Sequence, residues 1–133
     1  MGWPGMMVWL GVAAAAAPAL ALAHHSIGAV YDRERTVEVE GVLSKIELVN
    51  PHAQLQVTVP ARTGPATVWM AESRGVAGMT RIGFDRGVVA VGDKVTLKGA
   101  PARSGEHSLW LHSLETAGGK TFDFDRGFGP RQP

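Results

Sequence analysis

The chain has 133 residues, one domain's worth, with a formal net charge of +1 from interspersed charges of both signs and no cysteine. That composition excludes disulfides, thiolate metal sites, cysteine nucleophiles and a lipid anchor attached through cysteine. No basic block is present, so nothing argues for a nucleic-acid partner.

No Lys, Arg, Asp or Glu precedes His24. Met6 to Ala23 is an apolar, alanine-rich run broken by Pro18 and closing in Ala21-Leu22-Ala23, a small-x-small pattern. We read residues 1–23 as a cleavable signal peptide cut after Ala23; cuts after Ala19 or Ala21 also satisfy the small-residue rule. The flank Met1 to Gly5 departs from the usual pattern in lacking a basic side chain. An uncleaved membrane anchor is the competing reading. The run is marginal against the ~20 residues that a bilayer span needs, and alanine is weakly hydrophobic. Processing leaves about 110 residues, enough to build one core. The product is expected to be periplasmic or secreted, with no stable membrane anchor.

Residues 36–49 read as a long first strand. Val37, Val39, Gly41 and Leu43 share one face, and then Ile46 and Leu48 take it over. That slip of phase predicts a bulge near Ser44-Lys45, and Gly41 predicts a tight bend. Asn50-Pro51-His52 is a turn signal, because Pro51 fixes its own backbone and pushes Asn50 towards an extended one. Ala53, Leu55, Val57 and Val59 then alternate with polar residues as a second strand. Residues 66–72 give a third, with Val68 and Met70 on one side and Trp69 and Ala71 on the other. Val76, Met79 and Ile82 recur at a spacing nearer three than two, which predicts a short helix within residues 75–84. Residues 93–99 form a fourth strand entered by a Gly-Asp turn. Residues 108–116 form a fifth, and residues 120–124 are placed to pair back on it. The tail, residues 125–133, is rich in Gly, Pro and Arg and is expected to fray.

Three strands, a short helix and two strands is the order of a five-stranded Greek-key barrel. The expected fold is therefore mainly β, a small OB-fold-like barrel over residues 24–124 with one short helix between strands three and four. A plain five-stranded sandwich is the alternative.

The start His24-His25-Ser26, the pair Tyr31-Asp32, the turn Asn50-Pro51-His52, the run Arg81-Ile82-Gly83-Phe84 and the strand from Gly92 to Gly99 together resemble an exported bacterial family, domain of unknown function 6152. The resemblance covers most of the mature chain. It implies export and a small β domain, and it implies no settled activity.

Five histidines carry the most informative chemistry: His24, His25, His52, His107 and His112. Cleavage after Ala23 gives His24 both a free α-amine and an imidazole, which close one chelate ring on a metal. Metal displaces the α-amine proton at small cost near neutral pH. Planar imidazole and amine nitrogens suit Cu(II) best, and a third nitrogen from His25 or His52 completes a brace. Against this, a flexible His-His terminus binds transition metals weakly in almost any peptide, and His52 is equally suited to fixing its own turn. His107 lies at a polar loop end and is expected to be solvated. His112, placed by alternation with Trp110 and Leu114, is expected to be structural. Met70 and Met79 are expected to pack in the core.

Trp69 and Trp110 are candidates for an aromatic platform on the barrel's outer face, suited to a sugar or peptide; the competing reading places both in the core. No Gly-x-Ser-x-Gly elbow, His-Glu-x-x-His helix or phosphate loop is present. Glu72 stands as a lone carboxylate, weak ground for acid–base chemistry. The chain is thus read as a non-catalytic binding protein, with copper or another divalent metal at His24, His25 and His52. The alternative is an envelope interaction domain that takes a peptide, glycan or protein partner on the barrel face through Trp69 and Trp110.

Overall fold

The computed structural model describes Gly2 and residues 26–126. Apart from Gly2, the expected leader lies outside the described residues, as do His24, His25 and residues 127–133 of the tail. The elements in chain order are α1 (Ile27–Val30), β1 (Val37–Glu47), β2 (His52–Val59), β3 (Thr67–Arg74), α2 (Val76–Arg81), β4 (Lys94–Pro101), β5 (Ser108–Thr116) and β6 (Thr121–Asp123). Among the described residues no helix is long and apolar enough to cross a membrane.

The strands run β3-β2-β1-β4-β5-β6 in one sheet, and a parallel β3–β5 pairing closes the first five into a barrel. This is the expected mainly β barrel with a helix between strands three and four, and it is consistent with an OB-fold-like architecture. One edge of β5 pairs with β4 along most of its length. The other edge is shared: residues 108–110 pair with β3 and residues 113–115 with β6. Residues 120–124 thus pair back as expected, as an extra short strand.

The first strand is bulged where its phase slips. Leu43 pairs with Val57 and Lys45 with Gln56, leaving Ser44 as the extra residue. The Ser44 hydroxyl donates to the Gln56 carbonyl at 3.1 Å. The slip keeps Val39 and Leu43 in the core before it and Ile46 against the core after it. At Gly41 a Cβ would run into the Thr58 carbonyl and the Val57 side chain, so only glycine lets β1 bend between its two partners.

A second bulge lies in β5, where Lys98 pairs with Ser113 but Gly99 pairs with Leu111, leaving His112 over. Leu109, Leu111 and Leu114 therefore all reach the core. The expectation that His112, Trp110 and Leu114 share a face assumed a regular strand and is corrected by this bulge.

The barrel interior is filled by Leu43, Leu55, Val57, Leu97, Leu109, Leu111 and their neighbours, all essentially inaccessible. Each such side chain contributes roughly 1.5–3 kcal/mol on burial. One end of the core holds Met79 from α2 together with Phe84, whose ring lies 5.2 Å from both Phe122 and Phe124. The run from Arg81 to Phe84 is a helix stop. Gly83 adopts φ +78°, its N–H donates to the Thr80 carbonyl, and the Phe84 N–H donates to the Met79 carbonyl, both at 3.0 Å.

In β3, Trp69 and Ala71 face inward, while Val68 and Met70 are exposed. Met79 is buried as expected, but Met70 is 37% exposed, which corrects its assignment to the core. Apolar residues stand on both sides of β3, so alternation alone cannot choose between them. The register does, setting Ala71 opposite Leu55 and Trp69 opposite Val57, the buried positions of β2.

The short α1 was not foreseen. Ser26 caps it by accepting from the Ala29 N–H at 3.2 Å. The chain then bridges at Tyr31 to Ala102, beside the end of β4. Ile27, Tyr31, Ala100, Ala102 and Trp110 form a second apolar cluster, separate from the barrel interior. The segment from Ser26 to Tyr31 is thus a strap across the outside of the barrel.

Candidate functional site

Three neighbouring strands bring three outward positions together. In β2, Ala53 and Leu55 point inward, so His52 points out. In β3, Ala71 and Ser73 are buried and Glu72 is outward by alternation. In β5, Leu109 and Leu111 fill the core and Trp110 turns to the outer cluster. Glu72 stands opposite Gln54 and beside Trp110, and His52 opposite Arg74. His52 and Glu72 are therefore diagonal neighbours on one face, close enough for a long side chain to bridge.

They do bridge. His52 Nδ1 lies 2.6 Å from Glu72 Oε1. A nitrogen facing a carboxylate oxygen at that distance carries the hydrogen and donates it. The other oxygen, Oε2, accepts from the Tyr31 hydroxyl, also at 2.6 Å. Each carboxylate oxygen thus serves one donor, one from the barrel and one from the strap. The His52 ring stands edge-on to Trp110 at 5.2 Å between centroids and 79° between planes. Tyr31 lies over the same indole at 6.1 Å. Burial first, and then the hydrogen bond to Glu72, push the Tyr31 phenol far above its ordinary range.

The His52 side chain keeps 38% of its surface exposed and Glu72 keeps 23%. With Nδ1 occupied, Nε2 is the nitrogen left to meet a ligand. The ring borders an open cleft of about 360 Å³ whose walls include Ile27, Asn50, Pro51, Arg74 and Trp110. Asn50 and Pro51, joined by a cis peptide bond, lead into His52. The Asn50 side chain also accepts from the Val76 N–H at 3.1 Å, tying the turn to the start of α2. Arg74 brings a positive charge to the cleft. Its basicity is lowered by burial and by Arg33, while Asp125 opposes that.

Of the residues singled out in the sequence, His52 lies in this cleft, and His24 and His25 fall outside the described residues. Among the described residues no group of three or more His, Cys, Asp or Glu side chains forms; His52 and Glu72 stand as a pair. Trp110 is buried under Tyr31, at 6% exposure, in the outer cluster. Trp69 packs half-buried on the barrel interior, with His107 at 5.1 Å between ring centroids. The two indoles lie on opposite sides of the sheet, so they form no common platform. His107 itself is exposed, as expected of its loop.

Sequence reasoning missed the pairing of Glu72 and the role of Tyr31. Glu72 is not a lone carboxylate. The outward parity of Glu72, between inward Ala71 and Ser73, was the available signal.

The sequence model of a family of unknown function, DUF6152, matches residues 11–110. No curated protein matches the chain.

Proposed function

The chain belongs to the DUF6152 family, and from the geometry around His52 we propose that it is an exported, periplasmic, non-catalytic binding protein that holds copper. The ion sits between the front of the processed chain and the Asn-Pro-His turn. The donors are the His24 α-amine and imidazole, freed by cleavage after Ala23, together with His52 Nε2; His25 supplies a further imidazole within reach.

The observation that carries this reading is the shared wall. Ile27 and His52 border the same cleft. Position 24 stands three residue steps ahead of Ile27, a reach of roughly 10 Å when extended. The state of the His52 ring supports it too. Metal-binding imidazoles usually donate a hydrogen bond from their second nitrogen to a carboxylate, which fixes the tautomer, and Glu72 accepts that bond from Nδ1. Its negative charge also opposes the Arg74 guanidinium when a cation enters. Nitrogen-rich donors favour copper over magnesium or calcium.

The test starts with mass spectrometry of the exported protein to fix its first residue. The processed chain is then titrated with Cu(II) beside His52→Ala and beside a chain with one extra residue ahead of His24. Both changes should weaken binding at least about tenfold, ~1.4 kcal/mol. An extended chain that binds copper as tightly as the processed one overturns the proposal, because its α-amine is an amide.

A further inference from the structure

We infer that the cleft at His52 takes a small 2-hydroxy carboxylate, with its acid group on Arg74 and its hydroxyl on His52 Nε2. The inference uses described residues alone and does not rest on the copper reading. Charge decides the class of ligand. Among the described residues that line the cleft, the side chain with a fixed charge is Arg74, and Glu72 does not line it. Both Glu72 oxygens already serve donors, Tyr31 and His52, each at 2.6 Å. Burial and the nearby Arg33 charge both work against the Arg74 cation. A bound anion relieves that, and a carboxylate does so with two parallel N–H···O bonds. Asp125 also acts on Arg74, but a guanidinium carries five donors and can serve two carboxylates.

Register and tautomer add the hydroxyl. β2 and β3 set His52 directly opposite Arg74, which puts their Cβ atoms roughly 5 Å apart on one face. The imidazole is held by its bond to Glu72 and by edge-on packing against Trp110 at 5.2 Å. With the hydrogen on Nδ1, the neutral ring offers Nε2 as an acceptor only. A ligand that meets both groups at once therefore carries an acid beside a hydrogen-bond donor. A neutral hydroxyl suits a place next to a guanidinium, where an ammonium would be repelled. Asn50 supports the acid end. Its Oδ1 accepts from the Val76 N–H, which leaves Nδ2 as the donor that it can turn to a ligand. The remaining walls include Ile27, Pro51, Ala77 and Trp110, apolar surface for the ligand's body. At about 360 Å³ the cleft is at the small end of ligand pockets, with room for one ring or a short chain.

Three probes test this on the processed chain stripped of metal: mandelate, phenylacetate, which lacks the hydroxyl, and mandelamide, which lacks the charge. Calorimetry reads affinity, and amide NMR shifts read the place of binding. Mandelate should bind and move the amides of His52, Arg74 and Ala77. Phenylacetate and mandelamide should each bind at least about tenfold more weakly. Arg74→Gln should lose the preference for mandelate over mandelamide, and His52→Phe the preference over phenylacetate. In both variants the amides of Leu43 and Leu97 should stay protected from exchange, the sign of an intact barrel. Mandelate that fails to bind at millimolar concentration, or that moves amides only outside the cleft, overturns the inference. So does either of the other probes binding as tightly as mandelate, or a preference that survives in its variant. If a variant unfolds, the three probes on the wild type still decide. Failure of the copper reading leaves the result as it stands, since no metal takes part in it.

Discussion

Tyr31 is the chain's single tyrosine, so its ionisation can be followed without interference. Burial and the Glu72 carboxylate raise its pKa, the Glu106 charge adds to this, and the Ser108 side chain opposes it. The sign of the consequence is fixed by linkage. An unfolded chain releases the phenol proton near its ordinary value of about 10, whereas the folded chain keeps it. Below that pH the two states bind the same phenol proton and this group gives no pH dependence. Above it the unfolded state binds fewer protons, and stability falls by up to ~1.4 kcal/mol per pH unit until the folded phenol titrates. Phenolate absorbance of the native protein should therefore lag well behind that of the urea-unfolded protein. Urea midpoints should drop more steeply at alkaline pH for the wild type than for Tyr31→Phe. Native absorbance rising near pH 10 would show that the hydroxyl is neither buried nor held by Glu72.

At the scale of elements, the turn before β2 does two jobs through adjacent residues. His52 reaches Glu72 across the sheet, and Asn50 caps α2 from outside by accepting from Val76. The helix needs that help: it has six residues, and Gly75 at its N-cap offers no side chain. Asn50→Ala should cost ~1 kcal/mol, read as a lower urea midpoint, and Asn50→Asp should retain most of it. Equal midpoints for Asn50→Ala and the wild type would mean that solvent serves the Val76 N–H as well. The same elements show where a sequence is readable. The Ser44 bulge was legible because polar and apolar residues alternate cleanly on either side of it. The His112 bulge was not, because Leu109, Trp110 and Leu111 are consecutive apolar residues that hide any change of phase. The four-residue α1 is shorter than any periodicity can resolve. His52 was legible as part of a turn. Its partnership with Glu72 and Tyr31 was not, since it depends on the register of β2 against β3 and on a strap folded over β5, both long-range facts.

At the scale of the whole molecule, the buried apolar side chains among the described residues form two clusters with the sheet between them. The inner one fills the barrel, and the outer one exists only because the strap lies on Trp110. Arg103 reinforces that contact, donating from Nε to the Gly28 carbonyl at 2.9 Å and pairing with Asp32 at 3.7 Å. Among the described residues, the inner cluster contains none ahead of Val37. A chain beginning at Arg33 should therefore keep the barrel while uncovering the outer indole. Losing the buried Tyr31 ring and its neighbours should cost about 3 kcal/mol, comparable to truncating a large buried side chain. Relative to the chain beginning at His24, its tryptophan emission should shift to the red, and the amides of Leu43 and Leu97 should stay protected from exchange. Unchanged emission would mean that Trp110 is covered without the strap. Loss of cooperative unfolding would mean that the two clusters are one. In either case the segment from Ser26 to Tyr31 would no longer be a separable strap laid on a finished barrel.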